Sequence, residues 1–375
     1  MKKSIILKKL LIFTLFCVIF AVYLTEFGFF SINNNIKNKN LNENFVQTNS
    51  QNETNFSMPE VEHLFTHCLL VNPQKALNRS NEMSIHYDRD CLTTSEFEKI
   101  LQSLYDKNYV IVNANDCFKI DSNGKAEKVK ITLPNGKKPF ILSIDDVNYD
   151  HRKMNMGMAD KIALDENGRL CSIIDGKYDY EREFVSVLEN FIYYHKDFSH
   201  NGAKAMLCLT GYDGILGYRT QTENRQEIDD AKKVVKALKD NGYYFACHSY
   251  GHYHMKKVSN KTFDSEIALW KNEVEPLIDK TNIYVYPYGE NEILSNDKIS
   301  YKHQLLLDEG FKLFCGVGDK HFYSYFPFNT TKENQVLFMD RRPLDGFSLR
   351  AHKDEYQTFF DCTEVYDSKN RFIPI

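Results

Sequence analysis

The stretch Glu227–His252, EIDDAKKVVKALKDNGYYFACHSYGH, decides the fold. From Glu227 to Asn241 the apolar residues Ile228, Ala231, Val234, Val235 and Leu238 fall on one face at the helical period, and Gly242 stops the helix. Tyr243–Cys247 then reads as a short buried strand that runs straight into His248 and His252. A helix, a strand and then chemically able side chains at the strand end form a unit that recurs along the chain.

Thr93 opens a helix running to Asn108, with Glu96 three residues on as a capping box and Phe97, Ile100, Leu101 and Leu104 inward. Tyr109–Val112 follows as a strand. Further strands are expected at Phe140–Ile144, Ala203–Leu209, Ile283–Tyr286, Phe311–Val317 and Val336–Met339, with helices at Thr262–Lys280 and Tyr301–Glu309. Strands alternating with helices predict an α/β fold with a parallel sheet, because parallel strands need crossovers. Asp145, Asp146, His248, Tyr288 and Asp340 each come just after a strand, where barrels of this build carry their sites. The segment 148–201 reads as a long irregular insertion at the mouth of that site.

The N-terminus is of another kind. Lys2, Lys3, Lys8 and Lys9 precede a run from Leu10 to Leu24 that is apolar except for Thr14, with no small-residue cleavage site after it. We read residues 1–30 as a cytoplasmic stub and a retained transmembrane anchor, with a cleaved signal peptide as the alternative. Residues 31–58, rich in Asn, are expected to be a flexible linker. The folded domain is assigned to 59–375, outside the cytoplasm and held to the cell membrane. A net charge of −4 gives no reason to expect a nucleic-acid partner. No Cys-x-x-Cys pair occurs, so a cysteine zinc site is unsupported, and Cys208, Cys247 and Cys315 read as core residues.

Three clusters carry chemistry. Ser143-Ile144-Asp145-Asp146-Val147 puts two carboxylates at a strand end, where a cation can hold one and leave the other free to take a proton. In His248-Ser249-Tyr250-Gly251-His252 the two imidazoles share a face if a helical turn begins there. Two imidazoles and one carboxylate are a usual catalytic zinc set. Tyr286-Pro287-Tyr288-Gly289 reads as a rigid turn that aims a backbone N–H at a developing oxyanion. Taken singly, each has a bland reading as a solvated turn or a packed aromatic.

In this order the clusters resemble the motifs of the NodB-like polysaccharide deacetylases, carbohydrate esterase family four: T-F-D-D-G, H-[ST]-x-x-H and R-x-P-Y-G. The resemblance implies a distorted (β/α) barrel of the NodB type and a hydrolase that removes N-acetyl groups from a cell-wall or surface polysaccharide or peptidoglycan. It implies Asp146, His248 and His252 as ligands of a divalent metal ion, zinc first, with Asp145 as general base and the Tyr288 N–H at the oxyanion. Val285 stands where the family has the arginine that orients the base, and Val147 replaces the motif glycine. Arg341, in Asp340-Arg341-Arg342, is a candidate for the missing cation, against the alternative of two solvated arginines. His352 is the nearest counterpart of the family's late Leu-x-His acid, one residue out of place. His254 is read as a surface residue and Thr210–Gly214 as groove lining, while His321–Phe328 is aromatic packing able to stack on sugars. The rival readings are a hydrolase of another amide or ester bond and a non-catalytic, metal-containing glycan-binding module.

Overall fold

The computed structural model describes residues 53–295, 298–318, 325–328 and 336–373. Seven parallel strands close into a barrel: β1 (Glu62–His67), β2 (Lys138–Asp145), β3 (Met206–Leu209), β4 (Tyr244–Cys247), β5 (Ile283–Val285), β6 (Leu313–Val317) and β7 (Val336–Pro343). The ring runs β2-β3-β4-β5-β6-β7-β1 and returns to β2. Its helices include α1 (Thr94–Asp106), α2 (Phe184–Tyr194), α3 (Arg225–Asp240), α4 (Asn260–Leu269) and α5 (Tyr301–Asp308). The expected α/β barrel is the observed architecture.

Strand alternation sorts the core into two layers. Ile141, Met206, Ala246, Val285, Leu313 and Met339 fill the barrel interior. Leu142, Leu207, Phe245, Tyr284 and Phe314 face the helices, where they meet Leu104, Val235, Leu238 and Trp270. The Thr93 capping box forms as expected, its Oγ1 accepting from the Glu96 N–H while Glu96 accepts from the Thr93 N–H.

Several sequence expectations need correction. The strand β1 is an addition to the expected set, because His63, Thr66 and His67 interrupt its apolar pattern; His63 bonds to Ser143 of β2 at 2.9 Å and His67 lines the cleft. Tyr109–Ile111 is a strand but stands outside the ring, pairing with the first half of β2. β7 is twice the expected length and carries Asp340 to Pro343 within it. The helix expected over Thr262–Lys280 passes through a π-helical turn at Trp270–Val274. The flexible linker drawn to residue 58 is too long: Glu53–Phe56 pairs antiparallel with Ile131–Pro134, and Met58 is fully buried.

The insertion is ordered rather than irregular. Lys161–Leu164, Leu170–Ile174 and Lys177–Asp179 form a three-stranded antiparallel sheet that leads into α2. All eight cysteines from Cys68 onward are buried and free, so they serve as core groups. Among the described residues no helix is long and apolar enough to cross a membrane, and the expected anchor at 1–30 lies outside them. The aromatic run 321–328 is described only at Tyr325–Phe328, a strand antiparallel to β7.

Glu183, at the start of α2, is completely buried. Its carboxyl faces the Leu69 N–H at 3.3 Å from both oxygens and the Tyr149 hydroxyl at 3.1 Å. Burial pushes its pKa up to about 8, against the opposing effect of those donors. A carboxyl that holds its proton more tightly when folded contributes stability at low pH and loses it as pH rises through the folded pKa. The melting temperature of the wild type is therefore expected to fall relative to Glu183→Gln as pH rises from about 5 to beyond 8. Parallel pH profiles for the two proteins would remove that account.

Candidate active site

The mouth of the barrel is a cleft of about 930 Å³ at the carboxyl ends of the strands, lined by His67, Asp145, Asp146, Tyr212, His248, His252, Tyr288 and Arg341 among others. Asp145 ends β2. Asp146 follows with φ 55°, a left-handed conformation that L residues with side chains rarely adopt. The kink gives the two adjacent carboxylates separate partners.

Asp145 is held by Arg341 through two parallel bonds, Nη1 to Oδ1 at 2.7 Å and Nη2 to Oδ2 at 2.9 Å. Arg341 is 1 % exposed and comes from β7, two strands away across β1. Its guanidinium lies over the Phe65 ring, 4.2 Å from the centroid, and donates to the Ser143 hydroxyl and the Gly316 carbonyl, both at 3.3 Å. Burial opposes the Asp145 charge, but Arg341 and then His248 outweigh it and hold the carboxyl well below the usual range. Arg342 points the other way, packing over the Phe359 ring and facing Glu62 at 3.8 Å. Val285 is buried inside the barrel, leaving the motif's usual position without a cation.

One donor atom from each of Asp146, His248 and His252 lies within 4.8 Å of the others. The Asp146 Oδ1 is buried with no hydrogen-bond partner, and the His252 Nε2 stands 3.8 Å from it. His248 donates from Nδ1 to the Val285 carbonyl at 2.9 Å, which leaves Nε2 toward the cleft. Burial, outweighing the Asp146 charge, pushes His252 down to about 4 and keeps it neutral at ordinary pH. Two imidazoles and an orphaned carboxylate oxygen suit a divalent cation.

The helical turn expected at His248–His252 does not form. Ser249 and His252 take φ 58° and 54°, and the loop coils until the imidazole centroids are 4.9 Å apart. The His252 N–H donates to the Ser249 hydroxyl, and the Gly251 N–H to Glu266 of α4.

Tyr288 also has a left-handed φ, 58°. Its backbone N–H makes no hydrogen bond among the described residues, and its side chain is half exposed at the rim. His254 is no idle surface residue: its ring stacks on Tyr288 at 3.9 Å and 7°, and its Nδ1 meets Glu290 at 2.9 Å. Within Thr210–Gly214, Tyr212 reaches the cleft, its hydroxyl donating to Asp150.

His352 does not reach the cleft. Asp345 caps the helix Gly346–Ala351, which carries the chain away, and His352 bonds to Glu355 at 3.1 Å. Two groups escaped the sequence reading. His67 ends β1 directly opposite Asp145 and was hidden with its strand. Lys153, from the insertion, lies near the Asp146 carbonyl at 3.5 Å and Asp150 at 3.4 Å; burial opposes its charge, but Asp146 and Asp150 raise its pKa. No motif spacing points to either.

Residues 200–305 match the family model of the polysaccharide deacetylases, a span that includes His248, His252 and the Tyr288 turn. No curated protein matches the chain. Among solved structures it is similar to a Streptococcus pyogenes deacetylase in complex with acetate, at TM-score 0.46 and 14% identity over 80% of this chain and 98% of that one. It is also similar to a polysaccharide deacetylase from Bacillus cereus, at TM-score 0.42 and 12% identity over 82% and 70%. The family match agrees with the resemblance over residues 200–305, the span that carries the histidine pair and the Tyr288 turn.

The clamp on Asp145 is testable. Arg341→Ala leaves a buried carboxylate unpaired and is expected to cost about 3–5 kcal/mol in denaturant unfolding. Arg341→Lys keeps the charge but loses the fork, and kcat should fall about 100-fold while metal content holds. A lysine variant at full rate would show that the fork does not orient Asp145.

Proposed function

We propose that the protein is a metal-dependent deacetylase that removes N-acetyl groups from a cell-wall or surface polysaccharide, peptidoglycan included. The observation that carries this reading is the division of labour between adjacent carboxylates. Asp146 keeps a buried oxygen free beside two imidazoles, while Asp145 is clamped by Arg341.

Asp146, His248 and His252 would hold the cation, with zinc the best match to one carboxylate and two imidazoles. Such a cation supplies Lewis-acid polarisation of an amide carbonyl and lowers the pKa of water. Asp145, its charge sustained by Arg341, takes the proton of the attacking water, and Arg341 fixes the direction of its lone pairs. The free Tyr288 N–H is available to the oxyanion. The cleft is wide and rimmed by Tyr212, Tyr253 and Tyr288, flat faces suited to sugar rings.

Arg341 weakens the case for a non-catalytic glycan-binding module. That reading drew on the missing motif arginine, and a guanidinium now stands against Asp145 from another strand. The basic flank and apolar run of residues 1–30 support a membrane-held protein with this domain outside the cytoplasm. Protease shaving of intact cells should degrade the domain; complete protection would place it inside.

Acetate release from peptidoglycan and N-acetylglucosamine oligomers is expected from the full chain, abolished by a chelator and restored by zinc. Asp145→Asn should lose at least about 100-fold in kcat while retaining metal. Metal-loaded protein that releases no acetate from any N-acetylated glycan would move the assignment to another bond.

A further inference from the structure

We propose that His67 is the proton donor to the departing amine, an inference that rests on the deacetylase reading above. Cleaving an amide needs two proton transfers at different places. The water loses one as its oxygen bonds to the carbonyl carbon, and the nitrogen must gain one as the C–N pair leaves with it. Asp145 serves the first. An unprotonated amine is too poor a leaving group to depart unaided, so a second group is needed on the same cleft.

Several of the polar groups lining the cleft are already committed. Arg341 is committed to Asp145 by both of its terminal nitrogens. Lys153 is paired with Asp150 at 3.4 Å. Tyr212 spends its hydroxyl on Asp150 and receives a bond from Arg152 at 2.9 Å. His151 is tied to Asp213 at 2.9 Å, with its side chain 71% exposed. His248 and His252 belong to the metal set, and His352 is outside.

His67 stands out by its placement beside Asp145 at the end of the neighbouring strand. Its Nδ1 is 2.8 Å from the Asp90 carbonyl, a partner that only accepts, so Nδ1 carries a proton and the ring cannot flip freely. Its Nε2 makes no hydrogen bond among the described residues. The β1–β2 register places His67 beside Asp145, so base and acid flank the same cleft from neighbouring strands. With Nδ1 turned to that carbonyl, Nε2 is the ring position that can carry a proton to the cleft.

The step balances without a further reagent. The water's proton goes to Asp145 and its oxygen bonds to the acyl carbon. The C–N bond then breaks, its electron pair stays on nitrogen, and the Nε2 proton of His67 moves there. Solvent afterwards reprotonates His67 and takes the proton from Asp145.

The test uses two leaving groups. Substrates are an N-acetylglucosamine oligomer, whose amine must be protonated, and p-nitrophenyl acetate, whose phenolate leaves unaided. His67→Asn retains an N–H for the Asp90 carbonyl and removes Nε2; His67→Ala with added imidazole is the second variant. Metal content and melting temperature are measured on each. Acetamide hydrolysis should fall about 100-fold or more in kcat, with a far smaller loss on the ester, unchanged metal content and partial imidazole rescue of the alanine variant. Equal losses on both substrates, loss of metal, or no loss on the acetamide would each overturn the assignment. A wild type that cleaves the ester but no N-acetyl glycan would instead sink the deacetylase reading, and the proposal with it.

Discussion

The bidentate pair between Asp145 and Arg341 is the constraint around which the barrel mouth is organised. Both side chains are almost wholly buried, so neither charge is tolerable without the other. The guanidinium starts on β7, passes over the Phe65 ring of β1 and ends on the carboxylate of β2. That reach exists only because the sheet closes and sets β7, β1 and β2 side by side. A buried ion pair is seldom a net gain over well-packed apolar groups. Its value here is directional: Asp145 stays ionised, with its lone pairs fixed, next to a carboxylate that needs a different partner.

The turns that deliver the other groups are strained in a consistent way. Asp146, Ser249, His252 and Tyr288 all sit in the left-handed region although none is glycine. Such residues each cost on the order of 1 kcal/mol or more and persist only where packing and hydrogen bonds overdetermine them. Here the supports are visible: Ser249 Oγ under the His252 N–H, Glu266 under the Gly251 N–H, and the His254–Glu290 pair behind Tyr288. The strain falls at the tips of β2, β4 and β5, where a straight continuation of each strand would carry the side chains past the cleft.

These features explain what the sequence disclosed and what it withheld. The two carboxylates, the two histidines and the Tyr-Pro-Tyr-Gly turn are local words, each within a few residues and each after an apolar run, so the cluster of Asp146, His248 and His252 and the α/β class were legible. The mode of the His248–His252 approach was not, because spacing four fits a helical turn and a tight coil equally well. Arg341 could be named only as a candidate, since its partner is 196 residues away in the chain. β1 and His67 were missed together: a strand whose inward side carries His63 and His67 has no apolar stripe to betray it. Misreading β1 also misplaced the acid, because His352 looked close to a motif while lying on a helix that leaves the mouth.

The far ends of the chain then turn out to bear on the site's geometry. Arg371, near the C-terminus, is fully buried; it grips the Asp88 and Cys91 carbonyls at 2.6 and 2.7 Å and bonds Glu96 of α1 through Nε at 2.7 Å. Between those two carbonyls lies that of Asp90, the one that fixes His67. Glu183, from the insertion, holds the Leu69 N–H and Tyr149 just beyond β1 and β2. The insertion and the C-terminal tail therefore each brace a segment that leads from the barrel mouth. A barrel whose strands end in loops needs such braces wherever a side chain must be held at hydrogen-bond precision. In this chain they are supplied by segments that the motifs pass over in silence.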